Sequence, residues 1–229
     1  MTDEATKTSR VRGDGFAGKY LVGRIIDIGC GPDPITPHAE PFDLAHGDAQ
    51  YVAEVRPNAA YDAVCSSHCL EHMRDVPQAL SQWWRLVKPG GYLILVVPDE
   101  NLYEQGTWPS MFNLDHKATF RIGGESSWSP VSYDIRSLVL SLPAAELLDC
   151  EIQDLGYDHR RRRTHIGALG RVAFGLRRRA VAVLRRLGST GRRAANLASR
   201  IFDLMGVPVD QTDGAALAQI QVIARKRTS

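Results

Sequence analysis

The sequence has no window of about 18 apolar residues, the span that a membrane-crossing helix needs. Its opening, MTDEATKTSR, has none of the apolar stretch of an export signal. A chain that is neither exported nor membrane-spanning is expected. Cysteine is scarce: Cys30, Cys65, Cys69 and Cys150 lie in runs that read as buried strands or helix starts, without the paired spacing of a zinc knuckle. A reduced, cytoplasmic protein is the corresponding expectation. No Gly-Lys-Ser/Thr follows the glycine-rich stretch, which excludes a phosphate-cradling P-loop. Between Arg160 and Arg200 there is no lysine and no acid, against thirteen arginines, while the rest of the chain sets 15 basic residues against 26 acidic ones. The formal net charge of +2 therefore conceals an acidic body carrying one basic segment.

What is present reads as a soluble α/β fold. Hydrophobic residues at 44% and charged residues at 24% suit a chain long enough to bury its own core. Residues 1–20 form a polar lead-in with anchors at Phe16 and Tyr20, and residues 21–229 one domain. Arg24 to Ile28 is a short apolar run closed by glycines, a buried strand entering a tight turn. Tyr61 to Cys65 and Tyr92 to Val97 repeat the pattern. Between them Asp75 and Gln78 offer a helix cap, and Ala79, Leu80, Trp83, Trp84 and Val87 recur at helical spacing, with the tryptophans as core and rim. Strand and helix alternate, as in a doubly wound sheet whose ligand sits beyond the strand ends, at the loop after the first strand. Ser137 to Leu148 reads as helix, Cys150 to Leu155 as a strand and Ala216 to Lys226 as the last strand.

The loop Asp27-Ile28-Gly29-Cys30-Gly31-Pro32-Asp33-Pro34 carries the chemistry. Its glycines allow a tight turn and close approach to a ligand. Pro34 stands where a dinucleotide fingerprint needs its third glycine, which disfavours nicotinamide or flavin. With D-x-G-x-G at the first strand, EPFDL at the second, Gly47-Asp48-Ala49 as a third-strand acid, YDAVCSSHCLEH as a fourth strand and RLVKPGGYLILVVPD as a fifth, the chain resembles the class I S-adenosylmethionine-dependent methyltransferases. The resemblance covers about residues 20–156 and the final strand, and departs from many members at Asp33, where they have a glycine. It implies a doubly wound, seven-stranded Rossmann-like sheet with helices on both faces and a basic helical insertion, residues 160–213, before the last strand.

The resemblance also implies S-adenosylmethionine as cofactor, with S-adenosylhomocysteine as product. Asp43 would serve the ribose hydroxyls and Asp48 the adenine amino group, with Ala49 beside the ring. Asp27 and Gly29-Cys30-Gly31 would hold the amino-acid end, and Ser66, Ser67 and His68 the methyl-donor side. Tyr20, Asp33, Leu44, Gly47 and His72 complete the expected cofactor set. Methyl transfer asks the protein to position a nucleophile and exclude water. For a hydroxyl acceptor a general base helps, and His116 or His68 is expected to serve, with Asp115 orienting it. His68, His72, Asp115 and His116 could also converge on zinc or iron, but the spacing between the two pairs is not diagnostic, and no metal is expected.

The aromatic stretch from Asn101 to Ser129 is long enough to be a functional loop. Tyr103, Trp108 and Phe112 set aromatic faces among polar groups, as glycan or planar-ring binders do, and the loop style is similar to bacterial methyltransferases of glycan and cell-surface polysaccharide biosynthesis. The expected partner is a small-molecule or glycan acceptor. Val172, Leu176, Ala180, Val183, Leu184 and Leu187 recur at helical spacing among the arginines of residues 160–200, describing a basic amphipathic helix. It fits a solvated surface helix, peripheral contact with the inner face of a membrane, or an acidic partner. Nucleic acid is disfavoured, because no NPPY-like tetrapeptide follows the fourth strand. A quinone or natural-product methyltransferase and a non-catalytic scaffold remain open alternatives.

Overall fold

The computed structural model of the chain describes residues 4–228 apart from 125, 165, 166 and 187. Strands β1 (Ile25–Ile28), β2 (Glu40–Phe42), β3 (Tyr61–Ser67), β4 (Val87–Pro98), β7 (Ala145–Gln153) and β8 (Gln219–Lys226) form one sheet in the order β2-β1-β3-β4-β8-β7. The ladders joining β2, β1, β3 and β4 are parallel, and β8 runs antiparallel between β4 and β7. The short strands β5 (Thr119–Arg121) and β6 (Ser132–Asp134) pair separately.

Among the described residues six strands stand where seven were expected, because the segment after Gly47 does not extend the sheet. Asp48 caps a 3-10 helix, Ala49–Glu54, by accepting the Gln50 N–H. The Gln50 side chain then bonds the entry of the next helix, donating to the Asp75 carbonyl and accepting from the Arg74 and Asp75 N–H groups. The expected helix over 137–148 is shorter and earlier, α4 (Ile135–Leu140), because Pro143 lacks the N–H a continuing helix needs and Ala144 turns at φ +57°. β7 accordingly begins before Cys150 and ends at Gln153, and β8 starts at Gln219, later than Ala216.

Alternation along the buried strands supplies two cores. Ile26, Ile28, Val64, Leu93 and Leu95 meet α3 (Val76–Leu86) and α4 on one face, while Ile25, Ala63, Cys65 and Ile94 meet Leu21 and Phe16 on the other. Trp83 and Trp84, expected as core and rim, are both buried, and their indole N–H groups donate to the carbonyls of Ala49 and Pro143. Residues expected as a lead-in form α1 (Glu4–Ser9) and α2 (Phe16–Tyr20). The basic segment folds as two helices packed together, α5 (Ala168–Arg185) and α6 (Gly188–Leu204). Among the described residues, no helix is long and apolar enough to cross a membrane.

Candidate active site

Three cavities meet at the carboxyl ends of the parallel strands. The first, about 630 Å³, is lined by Gly29, Asp43, Leu44, Gly47, Asp48 and Ala49, and reaches His68 and His72. The second, about 120 Å³, lies along the loop after β1 between Asp27, Gly29, Cys30, Gly31, Asp33, Ser67 and His68. The third, about 270 Å³, is bounded by His68, Glu71, His72, Tyr103, Phe112 and His116. His68 borders all three. Its backbone is left-handed, φ +52°, a conformation that few residues other than glycine adopt and that clusters at functional sites.

Most of the expected cofactor residues therefore converge. Asp43 follows β2 directly, and its carboxylate accepts the N–H groups of Gly31 and Leu44, which ties the glycine loop to the second strand. Leu44 is 90% exposed, an apolar side chain standing at the cleft without cover. Gly29 has φ +75°, and a Cβ there would lie 2.5 Å from the Cys69 sulfur. The Ser67 hydroxyl is buried without a hydrogen-bond partner. α1 closes over this end: Asp33 accepts the backbone N–H and hydroxyl of Thr6, and Glu4 stands 3.9 Å from His68.

Three expectations fail. Tyr20 packs on Phe16 and Tyr92 and lines neither cofactor cavity. Ser66 turns into the sheet, where its hydroxyl donates to the Ile28 carbonyl, because alternate residues of β3 face opposite ways. Asp115 orients His72 instead of His116: its carboxylate lies 3.0 Å from His72 Nδ1 and also pairs with Lys117. Asp48 reaches its cleft, but there it is held by Arg74 at 2.7 Å, which with the Gln50 N–H keeps its carboxyl below the usual range. Of the acceptor-loop aromatics, Tyr103 and Phe112 line the third cavity, whereas Trp108 has its carbonyl bonded by Arg171 beside α5.

Two acids, Glu71 in the lining of the third cavity and Glu104 behind its His116, were not singled out from the sequence. Glu104 accepts from His116 Nδ1 at 2.6 Å, both side chains being buried. Glu71 is fully buried in a short 3-10 turn, Leu70–His72, with neither carboxylate oxygen hydrogen-bonded. His68 precedes the turn with a left-handed backbone, and its Nδ1 lies 3.6 Å from Glu71, an ion-pair contact too long for a hydrogen bond. Burial opposes charge on both, yet each holds the other: Glu71 stays below the ordinary glutamate value through His68, and His68 above the ordinary imidazole value through Glu71. Glu71 was legible only as the acid between two histidines in H-x-x-E-H. Nothing in the sequence marks Glu104, twelve residues ahead of His116 in an irregular loop.

Asp27, 2% exposed, has its carboxyl pushed up to about 6 by burial, with the Ile35 N–H and Arg12 opposing the shift. Its unfolded value is near 3.8, so the folded chain holds the proton more tightly between these values, and stability falls as pH rises from about 4 to about 6. The two-unit difference corresponds to a penalty on the order of 3 kcal/mol for the charged form. Asp27→Asn should remove it. Thermal melts of the variant should then lose less stability than the native chain between pH 4.5 and 7; parallel profiles would contradict the assignment.

Comparison with known proteins agrees with this arrangement. The family model described as Methyltransferase domain matches residues 7–122, half of the chain, including the loop after β1 and the strands that carry the three cavities. The chain belongs to this methyltransferase family. It is a class I S-adenosylmethionine-dependent methyltransferase domain by family and motif together. An uncharacterized methyltransferase of Mycobacterium tuberculosis is 35% identical over 107 residues, which cover 42% of this chain and 52% of that protein. The chain thus spans about half the length of the curated relatives it matches. Among solved structures, an S-adenosylmethionine-dependent methyltransferase from Archaeoglobus fulgidus aligns over 98% of this chain and 95% of its own, with 15% identity and a TM-score of 0.49. A phosphoethanolamine N-methyltransferase from Haemonchus contortus, in complex with S-adenosylhomocysteine, aligns over 90% of this chain and 49% of its own, with 13% identity and a TM-score of 0.45.

Proposed function

We propose that this methyltransferase acts on a hydroxyl of a small-molecule or glycan acceptor, with His68 taking the hydroxyl proton. The supporting observation is the position of His68 at the junction of the two cofactor-side cavities with the third. When bound, S-adenosylmethionine supplies a methyl group already activated by its sulfonium. The residues present fit it. Asp43 keeps lone pairs on both oxygens beyond the two N–H groups it accepts, enough for ribose hydroxyls. Ala49, Gly47 and Leu44 give the adenine side an apolar wall, and the unpartnered Ser67 hydroxyl and Asp27 face the amino-acid end.

His68 Nε2 donates to the Gln219 carbonyl oxygen at 3.0 Å, an assignment that follows because the Gln219 amide N–H₂ already donates to Thr8 and Gln153. Nδ1, which faces the Glu71 carboxylate at 3.6 Å, is then the nitrogen that takes a proton, and Glu71 steadies the charged ring. Tyr103 and Phe112, with Asn113 and Asp210 beside them, give the third cavity an aromatic face among polar groups, which suits a sugar ring. In calorimetry, S-adenosylmethionine should bind in the micromolar range and weaken by at least about 100-fold in Asp43→Ala, the size of losing charge-assisted bonds to two hydroxyls. Folded protein that binds no cofactor would move the reading to a non-catalytic scaffold. Release of S-adenosylhomocysteine with nucleotide-linked and lipid-linked sugars would then find the acceptor.

The helix pair bears on where the acceptor resides. Leu169, Val172 and Leu176 of α5 and Leu197 and Ile201 of α6 are exposed beside the exposed Arg178, Arg179, Arg193 and Arg200, the pattern of a helix lying on an anionic surface. Binding to phosphatidylglycerol vesicles that sediments the protein at low salt and weakens at high salt is expected; no sedimentation at low salt removes this contact.

A further inference from the structure

We infer that Glu71, His72 and His116 form a binding site for a divalent first-row transition cation in the floor of the third cavity. Glu71 Oε1 lies 4.0 Å from His72 Nε2 and 4.0 Å from His116 Nε2, and the three donor atoms fall within 4.8 Å of one another. These separations are too long for hydrogen bonds. The two 4.0 Å separations exceed by about 0.6 Å the edge of about 3.4 Å expected for tetrahedral ligands with bonds near 2.1 Å, so closing on an ion needs inward side-chain shifts of roughly 0.5–1 Å.

The two carboxylates behind the histidines decide which nitrogens face Glu71. Asp115 holds His72 at Nδ1, through both its side chain and its carbonyl, and Glu104 holds His116 at Nδ1. Each imidazole is thus turned to present Nε2 inward, the carboxylate–histidine pairing that orients metal-bound imidazole and raises its basicity. Both Nε2 atoms are then directed at a buried carboxylate whose oxygens accept no hydrogen bond, with His68 Nδ1 at 3.6 Å as a further neighbour. Such an arrangement is unfavourable by itself and is relieved by a cation at the common focus. Two imidazoles and one carboxylate suit zinc, iron, manganese or cobalt, and leave positions open toward the cavity.

The role of the cation rests on the proposed hydroxyl acceptor; the site itself does not. An acceptor oxygen on the cation is acidified and fixed beside His68, which takes no part in the triad. The oxygen gives its proton to His68 and forms a bond to the methyl carbon as the carbon–sulfur bond breaks, and the sulfur keeps the electron pair. Tyr103, stacked 5.2 Å from the His116 ring, walls this side of the cavity.

Cobalt(II) titration of the cofactor-free protein tests the site without an acceptor. One equivalent should bind and produce visible d–d absorption. His72→Ala and His116→Ala should each weaken binding by at least about 100-fold, and Glu104→Gln, an isosteric change behind the ligand, by about 10- to 100-fold. His159→Ala, at an exposed histidine far along the chain, should change neither the spectrum nor the stoichiometry. Absence of stoichiometric binding, or binding retained in Glu104→Gln together with either folded histidine variant, overturns the inference. Calorimetry with S-adenosylmethionine on the same samples separates this outcome from failure of the methyltransferase reading, since cofactor binding is expected whether or not cobalt is taken up.

Discussion

Gly29→Ala is expected to lower the melting temperature by about 6–12 °C and to abolish cofactor binding at micromolar concentration. The added Cβ would stand 2.5 Å from the sulfur and 2.6 Å from the Cβ of Cys69, closer than such atoms pack, and the φ of +75° is strained for any side chain. Overpacking of this kind costs about 1–3 kcal/mol and left-handed backbone about 1–2 kcal/mol, and about 3 kcal/mol together corresponds to that shift for a domain of this size. Because Cys69 opens the turn that carries Glu71 and His72, relief of the clash displaces the cofactor loop and the third cavity together. Gly31→Ala provides the contrast. Its Cβ would meet nothing within 4 Å, and only the φ of +55° opposes it. A fall of about 2–8 °C is expected there, with cofactor affinity still reduced because Gly31 lines the cleft. Adding Cys69→Gly to Gly29→Ala should restore part of the lost stability; a double variant no more stable than the single one would place the strain elsewhere.

His68→Asn should lower turnover by about 10²- to 10⁴-fold, the usual contribution of a general base. Asparagine tolerates the left-handed backbone that His68 adopts at φ +52°, so the variant should fold with a melting temperature within a few degrees of the native chain. S-adenosylmethionine affinity should stay within about tenfold, since the ribose and adenine contacts lie on Asp43 and its neighbours. Turnover is read as S-adenosylhomocysteine release with a sugar acceptor. A variant with near-native turnover would send the proton to another group. A variant that lost cofactor binding instead would make His68 part of the cofactor pocket only.

The histidines show how sequence spacing and tertiary geometry divide the information. H-x-x-E-H is visible as a local motif, and the tight turn it forms could be anticipated from its place after a strand. Its partners could not. His116 arrives from a loop more than forty residues away, and the choice of Glu104 over the adjacent Asp115 as its orienting acid depends on which way each loop residue faces. Neighbouring residues in irregular backbone diverge, so Asp115 turned to His72 while His116 turned inward. The expected third-strand acid shows the same division: Asp48 lines the cleft, but the chain after it is drawn into a 3-10 helix by the Gln50 bonds to α3, and among the described residues the sheet has six strands.

By itself the sequence determined the strands β1, β3 and β4, the crossover helix α3 and the glycine loop with Asp27 and Asp43 at its edges. Those features depend on short-range chemistry: apolar runs that only a buried strand satisfies, a helical repeat of apolar residues, and glycines where the backbone must turn. The methyltransferase family was legible at the same level, because its motif is carried by residues close together in the chain. Only the tertiary structure decided that Ser66 faces the sheet and Ser67 the cleft, that Tyr20 packs away from the cofactor, that Glu71 shares a cavity with three histidines, and that Glu104 stands behind one of them. Those outcomes follow from strand parity and from contacts between segments distant in sequence, and the burial that leaves Glu71 without a hydrogen bond exists only once those segments have closed around it.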